Sequence, residues 1–150
     1  MIDYKKLISK LPIRLILSVV AGIAFSMVIS TLTHMVLHWC GVFPPLHKPM
    51  FETRLVIISL VYHSVFAIVA AFITAWLAKK QAKKAVFILG TKEAIMWLVG
   101  TLLLWKHAPP WYNISKAVLG PPLAWFGGRL YRMYKVKKDK RAEVKSVEQE

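Results

Sequence analysis

The stretch LVIISLVYHSVFAIVAAFITAWLA, residues 55–78, decides the fold. It holds 24 residues without a formal charge and is bounded by Arg54 and Lys79. A hydrocarbon layer about 30 Å thick takes roughly 20 apolar residues as α-helix, so this segment reads as a membrane span. Toward the N-terminus, Leu15–Trp39 is a second uncharged run. Toward the C-terminus, Ala85–Trp105 is a third, interrupted by Lys92 and Glu93. A fourth, Ala117–Gly128, has only 12 residues, and it spans if Lys116 and Arg129 reach toward opposite interfaces. Trp111 and Tyr112 beside it suit an interfacial aromatic belt. The pattern predicts an all-α, integral membrane four-helix bundle. Its spans fall at about 13–39, 55–78, 85–105 and 112–131, within a membrane domain of residues 1–134. Residues 135–150 read as a charged cytoplasmic tail, solvated or loosely helical.

Composition removes the other classes. The 150 residues are 57% hydrophobic and carry 21 Lys and Arg against 7 Asp and Glu, a net charge of +14. A basic nucleic-acid domain would be less apolar. One cysteine is too few for a disulfide scaffold. The 18 aromatic residues and long aliphatic runs exclude a disordered chain.

The placement of the charge carries more than its sum. Lys5, Lys6, Lys10 and Arg14 precede the first span, and Lys79, Lys80, Lys83 and Lys84 lie between the second and third. Arg129, Arg132, Lys135, Lys137, Lys138, Lys140, Arg141 and Lys145 follow the fourth. These sixteen face one side, against Lys48, Arg54 and Lys106 on the other. Basic residues stay cytoplasmic, so both termini are expected inside a bacterial inner membrane. Arg132, Lys135, Lys137 and Lys138 are then expected to meet anionic lipid headgroups rather than nucleic acid. The first apolar stretch exceeds the roughly 7–15 residues of a signal h-region, and its retention is expected.

Helices in lipid associate through small residues. Ser18, Gly22, Ser26 and Ser30 form such a seam in the first span; Ser59, Ala67, Ala71 and Ala78 lie on one side of the second; Gly120, Ala124 and Gly128 recur in the fourth. Pro121 and Pro122 deprive the carbonyls of Ala117 and Val118 of their partners, which predicts a kink, or a helix that begins only at Pro121.

The intramembrane polar residues are the candidates for chemistry. His34 and His38 continue the first seam, and His63 lies with Ser59 and Ala67 on the second. All three fall in the outer half, His34 and His63 at comparable depth, so they suit hydrogen bonding, or ligation of a metal or haem. Lys92 and Glu93 are costly in a bilayer; they read as an ion pair or as part of a proton or cation relay. Glu93 has Arg129, His63 and Arg14 as further possible partners. A thiol oxidoreductase is excluded by the lone Cys40, and there is no Walker loop, HExxH or nucleophile elbow.

From Tyr62 onward the chain resembles a family of small, uncharacterised bacterial inner-membrane proteins. The resemblance rests on Tyr62 and Phe66, on Thr74-Ala75-Trp76-Leu77-Ala78, and on Phe87-Ile88-Leu89-Gly90. It rests most on Pro110-Trp111-Tyr112-Asn113-Ile114 and on Pro122-Leu123-Ala124-Trp125-Phe126-Gly127-Gly128-Arg129-Leu130. Members typically show a Trp-Tyr-Pro-Ile turn, where this chain has Asn113, and many carry Arg in place of His63. The resemblance implies four spans and an inner-membrane location, and no activity. The sequence therefore points to a multi-pass, non-enzymatic accessory or envelope-maintenance protein that needs no cofactor and whose partners are lipid, other membrane proteins or itself. A transporter or channel using Glu93 and Lys92 is one alternative. A metal or haem protein using His34, His38 and His63 is the other.

Overall fold

The computed structural model describes residues 13–44, 51–103 and 108–147. Lys5, Lys6, Lys10, Lys48 and Lys106, and the last two residues of the third expected span, lie outside them. Every regular element among the described residues is helical: α1 (Ile13–Trp39), α2 (Thr53–Ala78), α3 (Ala82–Leu103) and α4 (Pro110–Val147). A single 3-10 turn, Lys79–Gln81, divides α2 from α3. Two stretches, Ile13–Trp39 and Thr53–Leu103, are long and apolar enough to cross a membrane. Only 17% and 22% of their apolar windows are buried within the molecule, the reverse of a core helix in a water-soluble domain.

The helix ends have local causes. Gly41 takes φ 71° just beyond α1. Its N–H donates to His38 O at 3.0 Å and that of Val42 to Leu37 O at 3.0 Å, a Schellman closure. That closure folds Phe43 back until it is buried against α1. α2 ends at Lys79, whose φ of 48° is costly for a residue with a Cβ but reverses the chain within three residues. Arg14 Nε donates to Leu77 O at 2.8 Å, so a cation from the start of α1 answers the negative end of α2. Pro110 opens α4, where its missing N–H costs nothing, and Pro109 O accepts from Tyr112 N at 3.1 Å. The helix runs on through Pro121 and Pro122 and into the basic tail as far as Val147. It starts a full eleven residues before Pro121.

Small residues set the packing. A Cβ on Gly22 would fall on the Thr74 hydroxyl, and one on Gly127 would fall against Ile68 O and Ala71. One on Gly90 would lie 3.0 Å from Ala124 Cβ, and one on Gly128 3.1 Å from the Val86 methyls. These approaches join α1 to α2, α2 to α4 and, twice, α3 to α4. The core at this end consists of Ala71, Ala75, Val86, Leu89, Ala124 and Tyr131, with Val19, Ala78 and Ala85 beside it. Both α1 and α4 pack on α2 and α3, while no comparable contact joins α1 to α4. The section is a rhombus with α2 and α3 on its short diagonal.

Gly127→Val and Gly22→Val each force a branched side chain into a backbone or hydroxyl. Each is expected to lower stability by about 1–3 kcal/mol, measured by thermal unfolding in detergent. Gly100→Ala, whose new Cβ meets nothing within 4 Å, is the control and leaves the melting temperature unchanged or raised.

Candidate functional site

Because α1 and α4 do not pack together, a gap opens between them at the end of the molecule that carries the histidines. It is a cavity of about 580 Å³, walled by His34 and His38 from α1, Tyr62 and His63 from α2, and Tyr112 and Lys116 from α4. The sequence reading brought His34 and His63 to one level, and the structure brings all three histidines to one cavity.

Their contacts separate them into two groups. His34 and His38, one turn apart, face each other Nε2 to Nε2 at 3.2 Å and share one proton along that line. Phe43 lies over both rings, 5.3 and 6.0 Å between centroids. Tyr62 stands between this pair and His63: its hydroxyl is 3.4 Å from His34 Nδ1 and its ring stacks on His63 at 4.3 Å. His63 Nδ1–H donates to Ser59 O at 2.8 Å, which leaves Nε2 as the acceptor. Among the described residues no group of three or more His, Cys, Asp or Glu is placed to hold a metal ion.

Lys116 is the residue the sequence reading undervalued. Its direction, toward the N-terminal end of α4, is that expected of a snorkelling side chain. Its ammonium stops under two aromatic faces instead, 4.0 Å from the Trp97 ring centroid and 4.2 Å from that of Tyr112. Only 8% of the residue is exposed. Ring faces attract a cation but supply no counter-charge. Tyr112 is itself pinned, its hydroxyl 2.6 Å from Ser59 Oγ, and Trp97 is steadied by the edge of His63 at 5.5 Å between centroids. Thr101 Oγ1 donates to Trp97 O at 2.7 Å and lies 3.2 Å from Asn113 O, which locks α3 to the first turn of α4. The only signal in the sequence was a lysine within the fourth span with aromatic residues near it.

Beneath the vestibule lies a separate void of about 30 Å³, lined by His63, Glu93, Trp97 and Lys116 among others. That is room for about one water between an acid and a base. Glu93 bonds its own neighbour, Lys92 Nζ to Oε1 at 3.2 Å, with both side chains partly buried. Adjacent helical positions diverge by about 100°, so the lysine side chain curls sideways to make this contact. The other partners considered for Glu93 are engaged elsewhere: Arg14 on Leu77 O, Arg129 over the Trp125 ring at 5.3 Å, and His63 on Ser59 O. Among the described residues Lys92–Glu93 is the only ion pair, so Lys116 has no carboxylate within 4.0 Å.

Lys116→Met keeps the stem between the two rings and removes the enclosed charge. The variant is expected to melt at a higher temperature than the parent, by about 1–3 kcal/mol of stability, as a buried charge kept for use rather than for folding predicts. Thermal unfolding in detergent measures it. Comparison of the chain with protein-family models, with curated proteins and with solved structures found no match.

Proposed function

We propose that the chain is a four-span bacterial inner-membrane protein with both termini in the cytoplasm, non-enzymatic, that binds a small anionic solute in a vestibule open to the outer face. The observation that carries this reading is Lys116: a cation 8% exposed, ringed by Trp97 and Tyr112, with no carboxylate partner among the described residues, lining a 580 Å³ cavity. An uncompensated charge in so enclosed a site is stabilised by an anion that joins it. With His63 and Tyr112 bonded to Ser59, the Tyr62 hydroxyl or the outer nitrogen of His38 is left to donate to an anion's remaining lone pairs. The four-span reading is supported by apolar side chains exposed on the outward faces of all four helices, Val28, Val61, Phe87 and Val118 among them. It is supported further by sixteen basic residues gathered on one side. The resemblance to small inner-membrane proteins agrees with it. An accessory or envelope-maintenance role follows if the bound anion is sensed rather than changed.

A second reading, a transporter, is favoured by the void beneath the vestibule. It places Glu93 beside Lys116 and His63, so a proton passing the lysine has an acceptor there, as anion–proton cotransport needs. Flux of a vestibule anion into liposomes, lost in Glu93→Gln, would select this reading; binding without flux selects the first.

Two measurements test the proposal. Cys40, the only cysteine, is exposed beyond the end of α1 and belongs to the outer side. A membrane-impermeant maleimide is expected to label it in intact spheroplasts, whereas a cysteine at position 146 in a Cys40→Ser background reacts only after permeabilisation. The reverse pattern refutes the orientation. In nanodiscs, at least one of inorganic phosphate, acetate and benzoate is expected to raise the melting temperature of the parent protein and not that of Lys116→Met. A parent indifferent to all three makes Lys116 a structural lysine.

A further inference from the structure

A second concavity lies on the opposite end of the molecule, away from every residue of the vestibule. It is a groove of about 390 Å³ between α3 and α4, walled by Val86, Phe87, Pro121 and Trp125. At one end stand Lys83 on α3 and Arg132 on α4, both exposed. Neither is in an ion pair among the described residues. The groove has a floor because the two helices touch through glycine: Gly90 meets Ala124, and Gly128 meets Val86. Nothing passes between the helices there, but a chain can lie along them. Phe87, 74% exposed, and Trp125, 54% exposed, stand up as its flanks.

The dimensions name the occupant. From Lys83 to Thr91 is eight residues, and from Arg132 back to Pro121 is eleven. At 1.5 Å per residue the groove runs roughly 12–16 Å from its cationic end, about half of a 30 Å hydrocarbon core, which is one leaflet. A molecule that is apolar for the depth of one leaflet and anionic at the surface is a phospholipid. We propose that the α3–α4 groove holds one anionic phospholipid of the cytoplasmic leaflet, its phosphate between Lys83 and Arg132 and one acyl chain against Val86, Phe87 and Trp125. This rests on the reading of the chain as membrane-spanning. It differs from a diffuse basic collar, since two particular cations, on two helices, meet one headgroup. The site also holds the cytoplasmic ends of α3 and α4 at a fixed separation from the outside, where Gly128 and Gly90 hold it from within.

The test is retention of lipid through native mass spectrometry of the full chain, released from micelles doped equally with phosphatidylglycerol and phosphatidylcholine. The parent is expected to keep one phosphatidylglycerol. Lys83→Gln with Arg132→Gln is expected to cut the preference for phosphatidylglycerol about thirtyfold, two surface charges being lost. Each single variant gives a smaller cut of the same sign, and both positions are exposed. Lys83→Arg with Arg132→Lys keeps the charge and the preference. Thr91→Trp, which fills the inner end of the groove, lowers retention of both lipids. Lys140→Gln with Lys145→Gln, on the tail, changes nothing, and millimolar inorganic phosphate does not displace the lipid. An unchanged preference in the double variant overturns the proposal, and so does an equal loss in the tail variant. Because the readout is independent of orientation, such a failure leaves the topology standing, and Cys40 labelling decides that separately.

Discussion

The close approach of helix backbones at glycine is the constraint on which this structure depends. In lipid an apolar side chain gains nothing by leaving its neighbours for those of another helix, so cohesion comes from van der Waals contact at short range and from interhelical polar contacts. Gly22 admits the Thr74 hydroxyl of α2, and Gly127 admits the Ile68 carbonyl of the same helix. Residues 70 and 74 meet α1, and residues 68 and 71 meet α4. α2 is therefore gripped from two sides along its alanine-rich half, Ala67 to Ala78, and the other helices take their places from it.

The same constraint explains where the molecule opens. Small residues gather in the second half of α2, while its first half carries Tyr62 and His63, large rings that stack on one another. Rings in place of methyl groups hold helices apart. α1 and α4 have no extensive contact, and the space between them at that end is the vestibule. Hydrogen bonds replace close packing there: Tyr112 to Ser59 fastens α4 to α2, and Thr101 to Asn113 fastens α3 to α4. Each such bond in a membrane is worth about 0.6 kcal/mol, little beside a tight glycine contact. The helices are accordingly joined by close backbone packing at the end of the short turn and by side-chain hydrogen bonds at the end of the site.

What the sequence made legible follows from which forces are local. Uncharged runs bounded by cations marked α1 and α2 nearly to the residue, because the length of an apolar helix is a one-dimensional property. The seams at Gly22, Ala71, Ala124 and Gly128 were also readable, since spacing by four residues is fixed by helical geometry. The rhombic arrangement was not, because choosing α2 as the shared partner depends on which side of each helix the backbone of another can approach. His34, His38 and His63 line one cavity, but their separation by the Tyr62 ring depends on a rotamer. Lys116 was passed over because a lysine near a span end ordinarily reaches water. Its enclosure is the work of Trp97, nineteen positions away on another helix. The Schellman turn at Gly41, which seats Phe43 on the histidines, had a signal in the lone glycine after α1.

The interior charges have an order that this separation creates. Glu93 and Lys116 line one void of about 30 Å³, yet the carboxylate is already met by Lys92 at 3.2 Å. Lys92 is on the same helix as Glu93 and follows it in any motion, so the pair stays together whatever α4 does. Lys116 is left as the single enclosed charge without an opposite, and the rings above it are neutral. The two rings cover much of the ammonium, and the Glu93 carboxylate is already met by Lys92. The attraction of Lys116 is directed instead through the vestibule, the side on which the cage is open. An anion that arrives there meets the Lys116 ammonium directly, whereas the small void on its other side is lined by Glu93 of the Lys92–Glu93 pair. The asymmetry of the site is thus built into the adjacency of two residues in α3.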